Sequence, residues 1–505
     1  MSDWIAPAPA FSSKPSRLPR APLEWPCLVR DRRHRDPAAP NAPSRLSYAL
    51  ITYLAYTVYL LILPIYVPYL VFQHYSTPRP FDSWTLSKRL NTRLGKLQVW
   101  LVAWWIPPTP KGWDADDDWS WPLLPTSGSA GGGGAAGPLA VGQGYLDAHT
   151  RGLIDIEVVK LRAVDREYIR GFADVEGVSA EDRPGIWITP KAKGSAVDGS
   201  EGGRTGVRKA KKGEKVILHI HGGGYIRGHP LWTPFPMDMA ILTQCRCLTV
   251  NYRKTLSHAT AFPAPLLDVL AAYMHLTQTL EFAPSDVIIL AESAGAHLAL
   301  MLSQYLNDLA ASGSSGSQEQ KGSDAPQLPL LPRQPGCIIL SSPWADFTLS
   351  YPSYESNAAY DQLVPIRLRR AVRSATRHYK PGARETRYFS PCKAEPEDWT
   401  YLLASKGKGD EGGQGQGGPR TIPGATAGAS GSAEVERDSG TKVYVHYGGN
   451  ELFRDEIVQL GRTMREAGVN IRLREDPEGL HTSGMIGSSE AGRIFRKDVL
   501  EMLEM

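Results

Sequence analysis

The chain has 505 residues, with 56 Lys and Arg against 52 Asp and Glu, a formal net charge of +4. That near balance, with no arginine-lysine field interleaved with aromatics, argues against a nucleic-acid partner. Five cysteines, Cys27, Cys245, Cys247, Cys337 and Cys392, lack metal-ligand spacing, and their odd number argues against a disulfide framework.

Residues 1–46 are rich in Pro, Ala, Ser and Arg without a sustained apolar period, the composition of a disordered basic tail. Residues 48–72 carry no charge in 25 positions. As a helix they extend about 37 Å, enough to cross a hydrocarbon layer of roughly 30 Å with some tilt. The expectation is a single transmembrane or membrane-associated helix, bent at Pro64 and Pro68; recurring tyrosines keep a buried or interfacial lid helix open. The basic residues on its two flanks differ little, with a weak bias toward a cytosolic N-terminus and a lumenal main domain, as for a single-pass protein of the endoplasmic reticulum. Residues 84–106 have Leu86, Leu90, Leu94, Leu97, Leu101 and Trp104 near one face and Lys88, Arg89, Arg93 and Lys96 elsewhere, an amphipathic lid or membrane-surface helix or a core-packed one.

The tract 127–138 is glycine-rich and linker-like, and three more such tracts fall near 191–213, 311–328 and 405–440. They read as disordered surface insertions within a domain spanning 150–505. Strand signals occur at Ile154–Leu161, Gly185–Thr189, Lys215–Ile220, Cys247–Tyr252, Val287–Leu290, Cys337–Leu340, Val443–His446 and Val469–Leu473. Helical spacing occurs at Ala264–Leu280, from His297, at Glu451–Glu466 and after Ser488. Cys245 and Cys247 lie in a strand-like apolar run and read as core. Alternating short apolar strands and helices predict an α/β fold with a mainly parallel central sheet covered on both faces.

Two motifs carry chemistry. Ala291-Glu292-Ser293-Ala294-Gly295 lies between an apolar strand and a helical pattern, the context of a nucleophile elbow, with Ala291 replacing the usual first glycine. His221-Gly222-Gly223-Gly224-Tyr225 follows the strand ending at Ile220. Consecutive glycines let backbone N–H groups approach a developing oxyanion, so Gly222, Gly223, Gly224 and the N–H of Ala294 are the expected donors, with His221 bracing the loop.

From about Val216 to His481 the chain resembles the hormone-sensitive-lipase branch of the α/β-hydrolases, which includes arylacetamide deacetylase and fungal steryl-acetate deacetylase types. Asn251-Tyr252-Arg253, Phe262-Pro263-Ala264-Pro265 with Asp268, and Ser341-Ser342-Pro343-Trp344-Ala345-Asp346 support the likeness. Lys254-Thr255-Leu256 departs from that family's usual continuation after Arg253. The resemblance implies an α/β-hydrolase fold with a helical lid. Its acid loop aligns with Glu451-Leu452-Phe453-Arg454-Asp455-Glu456, placing Glu451 as triad acid and Asp455 as its rival. His481 has the expected chain order after serine and acid, while His446 lies within a strand and reads as scaffold.

Together these imply a serine esterase, lipase or deacetylase with a Ser293-His481-Glu451 triad, acting on a lipophilic ester near membrane lipid and needing neither metal nor organic cofactor. Two alternatives use the same scaffold: a non-catalytic hydrolase-like membrane binding protein, and an acyltransferase using the same serine.

Overall fold

The computed structural model describes residues 45–77, 84–105, 145, 148, 151–191, 208–315, 333–404, 440–487 and 489–505. The expected tail up to residue 44, the tract 127–138 and most of the three later insertions lie outside the described residues.

Eight strands form one sheet: β1 (Ile154–Leu161), β2 (Arg183–Pro190), β3 (Val216–Ile220), β4 (Arg246–Val250), β5 (Val287–Glu292), β6 (Cys337–Ser341), β7 (Lys442–Gly448) and β8 (Ile471–Asp476), in the order β1-β2-β4-β3-β5-β6-β7-β8. The β1–β2 and β2–β4 pairs are antiparallel, and every other pair is parallel. β3, β5 and β6 are buried at every position, which explains why they read as unbroken apolar runs without alternation. A sheet buried on both faces needs two cores. One holds Leu218, Ile289, Leu340 and Val445; the other holds Ile217, Ile288, Ile339 and Tyr444, the opposite-facing neighbours on the same strands.

Two N-terminal helices precede the sheet: α1 (Arg45–Ser76) and α2 (Leu86–Trp105). The helices around it are α3 (Phe235–Thr243), α4 (Ala264–Met274), α5 (Ala294–Ser315), α6 (Pro365–Ala375), α7 (Arg454–Glu466) and α8 (Glu490–Leu503). The helical reading of 264–280 ends early, because one π-helical turn, His275–Thr279, takes over at Met274. Residues 311–315, expected to begin an insertion, instead complete α5. The last strand is displaced from 469–473 to Ile471–Asp476: Gly468, at φ 82°, ends the α7 segment, and Val469 packs into the core before pairing starts.

α1 is long and apolar enough to cross a membrane: an 18-residue stretch within Leu50–Ser76 has mean hydropathy 1.9, and only 11% of its residues are buried. Pro64 and Pro68 both lie inside it. Gln98 Nε2 donates to Tyr56 Oη at 3.2 Å, so α2 folds back along α1. The cations of α2 turn toward protein. Lys88 Nζ donates to the carbonyl of Glu478 at 3.3 Å, Lys96 Nζ donates to the carbonyl of Ala358, and Arg89 is buried. α2 is therefore wedged between α1 and the sheet domain, and the exposed apolar side chains Leu54, Leu61, Ile65 and Phe72 belong to α1.

Burial pushes the imidazoles of His275, His297 and His446 down to about 4, about 3 and about 4. In the unfolded chain they titrate near 6.5, so over this interval the unfolded state binds more protons. Stability should fall as pH drops from about 6.5 toward 4. Denaturant midpoints measured across that window should show the decline, and His446→Gln should flatten it by up to about 1.4 kcal/mol per pH unit. An unchanged slope would mean that His446 protonates freely in the fold.

Candidate active site

The site is assembled at the carboxyl edge of the parallel strands, where the chain leaves β3, β5, β7 and β8. β5 ends at Glu292, α5 begins at Ala294, and Ser293 between them has φ 54°. That left-handed backbone turns the serine side chain off the sheet edge, and it is strained for a non-glycine residue. Ser293 N–H donates to the Ser341 carbonyl at 2.9 Å, and the Ser293 carbonyl accepts from Trp344 N–H at 3.2 Å, so the turn is held by the chain beyond β6. A Cβ on Gly295 would sit 2.1 Å from the Ile220 carbonyl oxygen. Only glycine lets α5 start this close to β3. Ala291 is different: it lies within β5, paired with Ile220 and Leu340, and keeps an ordinary negative φ, so a methyl group is accommodated.

His481 follows β8 by a five-residue path, and its Nε2 lies 2.9 Å from Ser293 Oγ. Its Nδ1 lies 3.2 Å from Oε2 of Glu451, in the loop after β7. The two loops are tied by backbone: Gly449 N–H donates to the Asp476 carbonyl at 2.7 Å and Asn450 N–H to the Gly479 carbonyl at 3.0 Å. Phe453 sets its ring edge-on to the imidazole, centroids 5.0 Å apart. Glu451 is fully buried, and burial pushes its carboxyl up while the bond to His481 opposes the rise. Asp455 does not reach the imidazole. It accepts from Ser353 N–H at 2.9 Å and from Arg454 at 3.0 Å at the start of α7. His446 is buried within β7, and its carbonyl accepts from Ser342 N–H at 2.7 Å.

The glycine loop corrects one expectation. Gly222 N–H donates to Glu292 Oε1 at 2.9 Å, so it is not free to serve an oxyanion. The other oxygen of Glu292 meets His219 Nε2 at 2.9 Å, and His219 Nδ1 meets Thr249 Oγ1 at 2.9 Å. A buried carboxylate beside the serine thus ties the loop after β3 to the elbow after β5. The N–H groups of Gly223, Gly224 and Ala294 donate to no other group among the described residues. Gly223 has φ 120°, and a Cβ there would lie 2.0 Å from the Arg227 carbonyl oxygen. His221 stacks on Tyr252 with centroids 4.3 Å apart, and Tyr252 Oη donates to the His221 carbonyl at 2.7 Å. Burial, with Lys254 nearby, holds its imidazole well below the usual range, as suits a neutral brace. The unusual Lys254 is itself buried, donating to Asn251 Oδ1 at 2.9 Å and to the Tyr252 carbonyl at 2.6 Å, so the contacts around Tyr252 are kept.

The parallel sheet order, the turn at Ser293 and the loops after β3, β7 and β8 define an α/β-hydrolase fold. Residues 217–404 match the family model described as alpha/beta hydrolase fold. The chain is 29% identical over 167 residues to an esterase of Acinetobacter venetianus, covering 33% of this chain and 46% of that protein. It is 28% identical over 159 residues to an acetyl-hydrolase of Streptomyces hygroscopicus, covering 31% of this chain and 45% of that protein. The chain thus spans about half the length of the curated relatives it matches. Among solved structures, a hormone-sensitive lipase from a metagenome library is 22% identical with a TM-score of 0.42, covering 64% of this chain and 81% of its own. Carboxyl esterase 2 of Tuber melanosporum is 14% identical with a TM-score of 0.44, covering 69% and 86%.

Because Gly295 abuts backbone, Gly295→Ala should cost about 1–3 kcal/mol or more in stability from overpacking. At Gly224 (φ 63°) the nearest atom to an added Cβ is 4.0 Å away, so Gly224→Ala should carry only the left-handed backbone cost, about 1–2 kcal/mol. Urea midpoints of the two variants test the ordering, and equal losses would contradict the close approach at Gly295.

Proposed function

We propose that the chain is a serine carboxylic-ester hydrolase. The observation that carries this reading is the continuous line from the Ser293 hydroxyl through both ring nitrogens of His481 to the buried Glu451 carboxylate, at 2.9 and 3.2 Å. Such a line lets the imidazole accept the serine proton as Oγ attacks an ester carbonyl, while the carboxylate fixes the tautomer and stabilises the imidazolium. The same imidazole then protonates the leaving alcohol. Water deprotonated by His481 cleaves the acyl-serine and releases the acid. Gly223, Gly224 and Ala294 supply the oxyanion donors, each worth about 2.7–4 kcal/mol in the transition state. Relatives named esterase and acetyl-hydrolase agree with the reaction class.

The substrate class we infer is a lipophilic ester, because α1 exposes Leu54, Leu61, Ile65 and Phe72 beside the domain that carries the site. α1 is the membrane attachment, with the hydrolase domain on the lumenal side of the endoplasmic reticulum. Its length and apolarity suit a spanning helix. One observation favours an in-plane placement instead: α2 runs along α1 and is tied to the sheet domain through Lys88 and Lys96, so a spanning α1 would draw α2 and the polar domain beside it into the bilayer core.

A fluorophosphonate probe should label the native protein and not Ser293→Ala, which should also lose hydrolysis of short-chain p-nitrophenyl esters while remaining folded. Undiminished turnover in that variant would refute the nucleophile. Glu451→Gln should lower kcat by about 10³–10⁴-fold. Asp455→Asn should cost far less, and the opposite ranking would reassign the acid. Alkaline carbonate should release the protein if α1 lies in the interface and leave it in the pellet if α1 spans.

A further inference from the structure

Between Tyr354 and α6 the chain passes close to both loops of the triad, and it does so with a buried carboxylate. Asp361 is fully buried. Its Oδ2 accepts from Leu452 N–H at 2.8 Å, the residue after Glu451. Its Oδ1 accepts from His481 N–H at 3.4 Å and from Gln362 N–H at 2.7 Å. Gln362 Nε2 donates to the His481 carbonyl at 3.1 Å, so His481 is held at both its N–H and its carbonyl. Asn357 Nδ2 donates to the Glu451 carbonyl at 2.9 Å.

We propose that Asp361 is a positioning residue of the triad, acting with Asn357 and Gln362 as a brace that sets Glu451 and His481 in register. It touches neither the serine nor the space for an ester; it acts through the backbones of the acid and the base. The physical case rests on desolvation. A buried carboxylate costs several kcal/mol unless it is hydrogen-bonded, and a hydrophobic residue is often at least as stabilising in such a place. Here its acceptors are spent on N–H groups of the two loops whose relative position decides whether the imidazole spans serine and acid. Burial pushes the Asp361 carboxyl up, and the His481 imidazole and the three N–H groups pull against that rise. The outer side of the brace is held by the N-terminal segment: Lys96 on α2 donates to the Ala358 carbonyl, and Trp84, just before α2, sets its ring edge-on to Tyr360 at 6.4 Å.

The proposal rests on the ester-hydrolase reading for its kinetic arm only. In the full-length protein, Asp361→Asn keeps the size of the side chain but turns an amide N–H toward one of the backbone donors. Misplacement of a catalytic group by about 1 Å costs on the order of 10²-fold. We expect kcat for p-nitrophenyl butyrate to fall by about that factor with KM within about twofold, and the melting temperature to change by only a few degrees. Gln362→Ala should lower kcat in the same direction by a smaller factor. The second arm does not depend on turnover. The low-field proton of the His481–Glu451 bond, assigned by its absence in His481→Ala, should broaden or vanish in Asp361→Asn. Wild-type kcat and an unchanged resonance in Asp361→Asn would overturn the proposal. So would collapse of the fold in Asp361→Asn together with normal kcat in both Gln362→Ala and Asn357→Ala, since the segment would then be structural alone. If instead Ser293→Ala retains turnover, the hydrolase reading fails while the resonance still reports on the brace.

Discussion

The site depends on one close approach. α5 can start beside β3 only because Gly295 has no side chain to meet the Ile220 carbonyl, 2.1 Å from where a Cβ would lie. Beside that contact Ser293 takes left-handed backbone at the rim of the sheet. The rest of the geometry follows from strand order. β6 and β7 continue the parallel sheet from β5, and β8 lies beyond, so the loops after β7 and β8 emerge on the same rim and curl back over it. The path from Gly448 to Glu451 and that from Asp476 to His481 are both short, leaving little freedom for either side chain to wander. Strain at the serine is thus maintained by packing on three sides, the usual way a functional site holds a backbone that the chain alone would not choose.

The parts legible in the sequence were those where one residue type has few uses. A glycine run after an apolar strand and a serine among small residues before a helix say much about the backbone they need. All eight strands were marked in the sequence, with errors confined to their ends. What escaped was chemistry carried by common residues in ordinary surroundings. α3 is apolar on nearly all sides, with Pro236 near its start, so it offered no periodic contrast. α6 did carry a signal, since Leu368, Ala371, Val372 and Ala375 have helical spacing and are the buried residues. Gly222 looked equivalent to its two neighbours, and only the position of the Glu292 carboxylate removes it from the donor set. Asp361 sits among small and polar residues, and nothing in one sequence separates it from a loop aspartate in water.

Electrostatically the site is costly. Glu292, Glu451 and Asp361 are all buried, and each lies within one or two contacts of Ser293 or His481. Such groups are poor means of stabilising a fold, because desolvation offsets most of what their hydrogen bonds return. Their partners explain their presence. Glu292 holds the glycine loop, Glu451 the imidazole and Asp361 the backbone at Leu452 and His481. In each case a carboxyl oxygen held in place directs a donor. Preorganised dipoles of this kind need no reorientation when charge develops, which is where an acyl-transfer site gains most of its rate.

The two N-terminal helices give this centre a direction. α2 spends its cations on the domain rather than on water, which reverses the orientation expected of a lone surface helix, and it leaves the apolar flank of α1 as the outward face. Lys96 and Trp84 meet the chain at Ala358 and Tyr360, inside the same short segment that carries Asn357, Asp361 and Gln362. On the proposed membrane attachment, a load on α1 is delivered, through α2, to residues one to three positions from Asn357, Asp361 and Gln362. A hydrolase whose helices merely tethered it would have no need of that adjacency. Here the helix proposed as the membrane attachment and the segment proposed to align Glu451 and His481 share a wall.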